Sequence, residues 1–351
     1  MNRNWRLHWL RGGKVGKAPA DEVVTGSLAE HPAVKAWCEL QHAGIQPAGI
    51  DVLKRKHKVA TYRLSGIGPG GAAVIAKRCR TPTAKVERMI YTEILPRLPV
   101  SALHCYGFAE APDGEFCWLF LEEASGEPYS PQRADHRALA GRWLGRLHVA
   151  ALSAEMKARL PDRGPSHYLQ RLRGVRATVG EHLGNPALPA DDLSLLQTVA
   201  GHCDTLESHW DEVEACCAAM PRSLVHADFV IKNLRVRAGL TGPELLVFDW
   251  ELAHWGVPAT DLAQIVGRTA SPDLNVYGSA VQRDFGGLDA RDIQRLADCG
   301  KLLRVVDELY WATTFIGGSS YKFFVRPISH FRICEPELAT AFGAMKWTKY
   351  G

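Results

Sequence analysis

Two short apolar runs in the middle of the chain carry residues for which a buried strand has no use. The first, "LVHADFVIKNLRV" (224–236), sets His226, Asp228 and Asn233 among apolar neighbours. The second, "ELLVFDWE" (244–251), ends in Asp249 and Glu251. Polar groups at the end of a buried run cost stability unless they are hydrogen-bonded or bind something. A fold for this chain must therefore bring both runs to a place where those groups are used.

The residues around these runs divide by pattern. "IDVLKRKH", "VATYRLSG" and "AAVIAKRC" are β-branched and apolar, bounded by turns, and read as three strands. "TAKVERMIYTEILPRL" has apolar residues at helical spacing, and "ALHCYGFAEAPDGEFCWLFLEEA" reads as two more strands around a "PDG" turn. After a linker, "SGEPYSPQ", long helical patterns dominate, interrupted only by the two runs above. A chain of 351 residues is long for one core. The expected architecture is α+β in two lobes, with the default ligand site in the cleft between them. Residues 1–45 form an extension with one short helix, 46–124 a sheet lobe and 125–351 a helical lobe.

Composition narrows the function. Hydrophobic residues make up 46% and charged residues 23%, as in ordinary globular proteins. The net charge of +4 is small and dispersed, which argues against a nucleic-acid partner. The basic run "KRKHK" (54–58) reads equally as a solvated hairpin. No apolar run reaches membrane-spanning length, and the basic start lacks the apolar stretch of a secretory signal. Nine cysteines without a CxxC pair point to reduced thiols and a cytoplasmic protein rather than to zinc or disulfides.

The polar set has a chemical logic. A carboxylate at Asp228 can accept a hydrogen bond from a substrate hydroxyl and take its proton. Asn233 and Asp249 offer a neutral and an anionic oxygen, ligands suited to Mg²⁺. Phosphoryl transfer needs these parts: positioning, a metal and a carboxylate that orients the nucleophile.

The ordered pattern H-x-D-x4-N, then D-W-E, then "GVPATDLAQI", resembles the aminoglycoside phosphotransferases and their choline-kinase-like relatives, over roughly residues 50–345. That family reads H-G-D at the first motif, where this chain has Ala227. The resemblance implies a protein-kinase-like fold and an ATP- or GTP-dependent small-molecule kinase. Asp228 would be the catalytic base, braced by His226, with Asn233 and Asp249 on Mg²⁺. Glu251 approaches the metal in part of the family. Asp261 would be structural, bonded to the catalytic loop. Lys77, at the end of the third strand, would pair with phosphates, held by Glu87, with Glu93 the alternative.

Backbone at Glu122, Glu123 and Ala124 would meet the adenine edge. The first hairpin, with Lys56 and Lys58, would cover the phosphates. "GIGPGG" (66–71) lies one turn too late for that. The acceptor would be a small hydroxyl compound: an aminoglycoside, amino alcohol or sugar. Acids at Asp204, Glu207, Asp211, Glu212, Glu214, Asp307 and Glu308 would suit a cationic one, or are simply solvated helix faces. Two rivals remain: a non-catalytic nucleotide-binding module, and a metal-dependent hydrolase using His226, Asp228, Asp249 and His254.

Overall fold

The computed structural model describes residues 22–24, 26–56, 59–263 and 269–347. The chain forms two compact units: one takes the residues up to Glu127 together with Asn233–Leu252, the other Pro128–Lys232 and the residues from Ala253 onward.

The first unit is built on a six-stranded antiparallel sheet. Its strands are β1 (Glu22–Val23), β2 (Gly49–Lys56), β3 (Val59–Ser65), β4 (Val74–Arg80), β5 (Cys105–Glu110) and β6 (Phe116–Glu122), in the order β1-β2-β3-β4-β6-β5. The three N-terminal strands expected from sequence are β2, β3 and β4, and "GIGPGG" joins β3 to β4. Helix α1 (Pro32–Gln41) lays Val34 and Trp37 on one face, where Ile50, Leu64, Val74 and Phe120 form the core. Trp37 meets Phe120 edge-on at 5.2 Å. Helix α2 (Thr81–Met89) covers the other face, with Ala84 packed on Val59, Cys79 and Cys117. It runs on through a π turn (Ile90–Ile94).

Strand β4 alternates as a strand must. Val74 and Ala76 enter the α1-side core, so Lys77 and Cys79 face the other way, toward α2. Lys77 is thereby buried, unlike the usual strand lysine.

The chain leaves this unit at β7 (Glu127–Pro128). The second unit is mostly helical: α3 (Ala134–His148), α4 (Ala154–Ala158), α5 (Pro165–Gly180), α6 (Ala190–Ser208) and α7 (Trp210–Ala218) precede the first polar run. The pattern at 193–220 reads as one helix but breaks at His209, whose ring meets Glu212 Oε1 at 3.0 Å. Strand β9 (Ser223–Val225) follows.

A turn at Ile231–Asn233 returns the chain to the first unit, where β10 (Leu234–Gly239) and β11 (Gly242–Val247) form a hairpin. In the second unit β12 (His254–Gly256) pairs with β9 and with β8 (Asp162–Arg163). Helices α8 (Ala259–Leu262), α9 (Leu274–Val281), α10 (Ala290–Thr313) and α11 (Val325–Ala344) complete it. Gly300 of α10 sits against the Ala259 carbonyl, where any Cβ would collide; this close approach seats α8. No helix among the described residues is long and apolar enough to cross a membrane. All nine cysteines are free.

Candidate active site

Two constellations hold the polar residues of the opening runs, one in each unit. In the first unit the β10–β11 register pairs Leu234 with Val247, and the Phe248 N–H donates to the Asn233 carbonyl at 3.1 Å. Asn233 and Asp249 therefore come to the same end of one hairpin. Asp249 adopts a left-handed backbone (φ 70°), which turns the chain sharply after β11. Its Oδ1 lies 2.5 Å from Lys77 Nζ, and Glu87 Oε1 lies 2.5 Å from the same ammonium. Glu251 Oε2 follows at 3.5 Å. Helix α2 presents Glu87 because Ala84, Glu87 and Tyr91 recur on its sheet-facing side. Glu87, rather than Glu93, is thus the partner of Lys77.

This cluster is deeply buried and its titration is shifted accordingly. Burial works against the Lys77 ammonium, but Asp249, Glu87 and Glu251 outweigh it, and the group is held charged well above its ordinary value. Burial pushes the Glu87 carboxyl up to about 7 against the pull of Lys77, with Asp249 and Glu251 adding repulsion. Oxygens of Glu87, Asp249 and Glu251 all lie within 4.8 Å of one another. Three carboxylates around one ammonium leave surplus negative charge. Among the described residues this is the one group of three side chains able to hold a metal, and it contains no histidine. That does not suit the histidine-ligated hydrolase.

In the second unit, the loop after β9 is held from below by Asp261 of α8. Its Oδ2 accepts from the His226 N–H at 2.7 Å and its Oδ1 from the Ala227 N–H at 2.8 Å. His148 of α3 places Nε2 at 3.3 Å from Oδ2, and its Nδ1 meets the Tyr277 hydroxyl at 2.9 Å. Burial disfavours the Asp261 anion, but His148, His226 and the backbone donors prevail and hold its carboxyl below the usual range. Ala227 takes a left-handed conformation (φ 64°), the physical reason glycine suits that position. His226 is fully buried, and its Nδ1 accepts from the Asp228 N–H at 3.2 Å. The Asp228 carboxylate lies 3.0 Å from Lys232 Nζ. Arg304 of α10 donates to the Ala227 carbonyl.

The remaining expectations divide. Glu122 Oε1 pairs with Arg237 at 2.8 Å, its Oε2 accepts from the His104 N–H at 3.0 Å, and Glu123 pairs with Arg63 at 2.7 Å. Those side chains fasten the sheet; Ala124 follows in the segment after β6. Lys58 lies outside the described residues, as does the side chain of Lys56. Gly66, Gly70 and Gly71 all have positive φ, enough to explain "GIGPGG" as a turn. Sequence reasoning missed His148, Tyr277, Lys232 and Arg304. It also missed β10, although the alternation in "LRVRAG" before the "LTG" turn is a strand signal.

A profile described as the phosphotransferase enzyme family matches residues 60–298. The chain belongs to that family. It is a small-molecule kinase. No curated protein matches the sequence. Solved structures share the protein-kinase-like fold at low identity. The Plasmodium vivax ethanolamine kinase superposes with a TM-score of 0.55 at 15% identity, covering 83% of each chain. The GDP and kanamycin complex of APH(2")-IIia gives 0.59 at 12%, covering 87% of this chain and 98% of that one. Spectinomycin phosphotransferase APH(9)-Ia, with ADP and spectinomycin, gives 0.57 at 10%, covering 85% and 94%.

Proposed function

We propose that this phosphotransferase moves the terminal phosphoryl group of ATP or GTP, with Mg²⁺, to a hydroxyl of a small molecule. The observation that carries the reading is the buried Lys77 ammonium, 2.5 Å from both Glu87 and Asp249. A lysine on a strand stays buried in such company only if its charge has work to do, and holding phosphate oxygens is work that suits it.

The donor set fits a hard divalent cation. It is oxygen only, and its carboxylates outnumber the one ammonium. Asn233 and Asp249 would be the ligands, with Glu251 near them. The bound ion would neutralise charge on the phosphates. Lys77 donates to phosphate oxygens, and Glu87 fixes its position. The Glu122 N–H already donates to the His104 carbonyl at 2.8 Å, so the purine edge falls to the Glu122 carbonyl and the backbone of Glu123 and Ala124.

Asp228 accepts the hydrogen bond of the acceptor hydroxyl and takes its proton as the new oxygen–phosphorus bond forms and the nucleoside diphosphate leaves. His226 and Asp261 hold the loop that carries Asp228. The acceptor is a hydroxyl compound, as are the ethanolamine, kanamycin and spectinomycin named with the related structures.

Two measurements test the reading. Millimolar ATP or GTP with Mg²⁺ should raise the melting temperature by mass action. The Asp228→Asn variant should keep that shift and lose roughly two to four decades of turnover. No shift with either nucleotide would sink the proposal, and near-normal turnover of the variant would remove Asp228 from the chemistry.

A further inference from the structure

Helix α5 carries Arg171, Arg173 and Arg176 and no acid, and α10 brings Arg304 to the 226–232 loop. Lys232 stands 3.0 Å from Asp228, and Arg304 binds the carbonyl of Ala227, the residue before it. One turn further along α10, Asp307 pairs with Arg171 of α5. The Arg171 guanidinium also lies 4.8 Å from the Tyr310 ring centroid and 5.4 Å from that of Trp311. Gly174, a turn beyond Arg171, permits this approach of α5 to α10, since a Cβ there would already stand 3.2 Å from Tyr310.

His167 precedes Arg171 by one turn. Burial, then Arg171 and Arg163, hold its imidazole down to about 4, so it is neutral at pH 7. Burial raises the Tyr168 hydroxyl, while Arg163, Arg304 and Arg171 all pull against that rise, as three guanidinium groups around one phenol must. Arg163, Arg171 and Arg304 thus gather about Tyr168, and the acids nearby have partners of their own: Asp307 pairs with Arg171, Asp162 with Arg222 and Asp261 with His148.

Besides Asp307, four of the acids that would suit a cationic acceptor are engaged by this chain's own bases. Glu207 pairs with Arg173 at 2.7 Å and Asp204 with Arg176 at 2.6 Å. Glu212 meets His209 at 3.0 Å, and Glu308 meets His330 at 3.4 Å. Arg304 contrasts with them. It is half-buried, gives one nitrogen to the Ala227 carbonyl, and pairs with no carboxylate among the described residues. A guanidinium has five donors in a planar fork that matches a carboxylate or phosphate.

We propose that the acceptor is anionic: a hydroxyl compound that also bears a carboxylate or phosphate group, received by Arg304 with Arg163 and Lys232 while Asp228 engages its hydroxyl. This rests on the role given to Asp228 above. It departs from the cationic acceptor that the acidic residues of the sequence suggest.

Nucleoside diphosphate release, followed with four acceptor pools, tests it. The pools are hydroxycarboxylates, sugar phosphates, neutral sugars, and cationic amino alcohols with aminocyclitols. One of the two anionic pools should raise release at least tenfold over the water background, and which one does so distinguishes carboxylate from phosphate. Arg304→Lys keeps the charge and loses the fork, so it should raise the acceptor KM about tenfold with the nucleotide KM within a factor of two. Should that variant fold poorly, Lys232→Gln should raise the acceptor KM at least threefold.

Stimulation by neither anionic pool overturns the proposal, as does an unchanged acceptor KM in the folded variants. Thermal shift with Mg²⁺ and nucleotide separates the two ways to fail. A protein that binds nucleotide but takes only cationic acceptors refutes the anionic acceptor alone. One that binds no nucleotide removes the kinase reading and this inference with it.

Discussion

Replacing Asp261 by asparagine is the sharpest perturbation of the 226–232 loop, because it keeps shape and changes only charge and one acceptor. The wild-type carboxylate accepts from two backbone N–H groups, at 2.7 and 2.8 Å, and meets His148 at 3.3 Å, all fully buried. An amide has one oxygen. Whichever way it is placed, its NH₂ faces one of the two backbone donors, and an orphaned buried donor costs about 1–3 kcal/mol. The bond that survives is no longer charge-assisted, which costs about another 1 kcal/mol. The sum is about 2–4 kcal/mol. For a cooperative unit of about 200 residues that corresponds to a melting temperature lower by roughly 4–16 °C, read by calorimetry or fluorescence.

Turnover should fall as well. Ala227 holds its left-handed turn through these bonds, and an ångström of drift at Asp228 costs on the order of 10²-fold. The pH dependence has a definite sign. The folded carboxyl of Asp261 is held below its ordinary value, so its stabilisation is complete above the unfolded pKa of about 3.9 and is lost as pH falls through the lower folded value. The gap between wild type and variant should be flat from about pH 6 to 8 and close only in acid, below about 4. A variant that melts within about 2 °C of wild type and turns over normally would refute this account of the loop.

Ala227→Gly relieves a left-handed alanine (φ 64°) and should stabilise by about 0.5 kcal/mol, the strain relieved being partly offset by the greater freedom of glycine in the unfolded chain; a measurable loss of stability by denaturant titration would refute it. Lys77→Met leaves Glu87, Asp249 and Glu251 without their shared cation, and should cost about 3–5 kcal/mol at neutral pH; adding Glu87→Gln should recover part of that loss, and a double variant no more stable than the single one would contradict the pairing. Gly70→Ala with Gly71→Ala forces two side chains into positive φ and should destabilise by about 1–2 kcal/mol per position while leaving the ATP KM within about threefold; a larger KM change in folded protein would place that turn at the nucleotide.

What could be read from sequence, and what could not, follows the distance between partners. Strands β2 to β4 were legible because alternation and flanking turns are local, and that count alone put Lys77 on the right strand. Glu87 was legible because, with Tyr91 four residues on, it matches the Glu-x3-Tyr pattern of the family that the chain resembles. Strand β10 is hard to see because apolar residues continue on both sides of the turn at Ile231–Asn233, where the chain passes from one unit to the other. The break at His209 was equally hidden. The apolar period runs straight through it, and the ring is fixed by Phe342 of α11 and by Trp347 just beyond that helix, far along the chain.

The same holds at the site. The bonds that define it join residues 172 apart for Lys77 and Asp249, 113 for His148 and Asp261, and 77 for Arg304 and Ala227. A motif names residues whose chemistry is shared across a family; it is silent on the long-range partners particular to one chain. For that reason the reaction type was readable from the two apolar runs. The partners of the acids were not: Asp204 and Glu207 find their bases on a neighbouring helix.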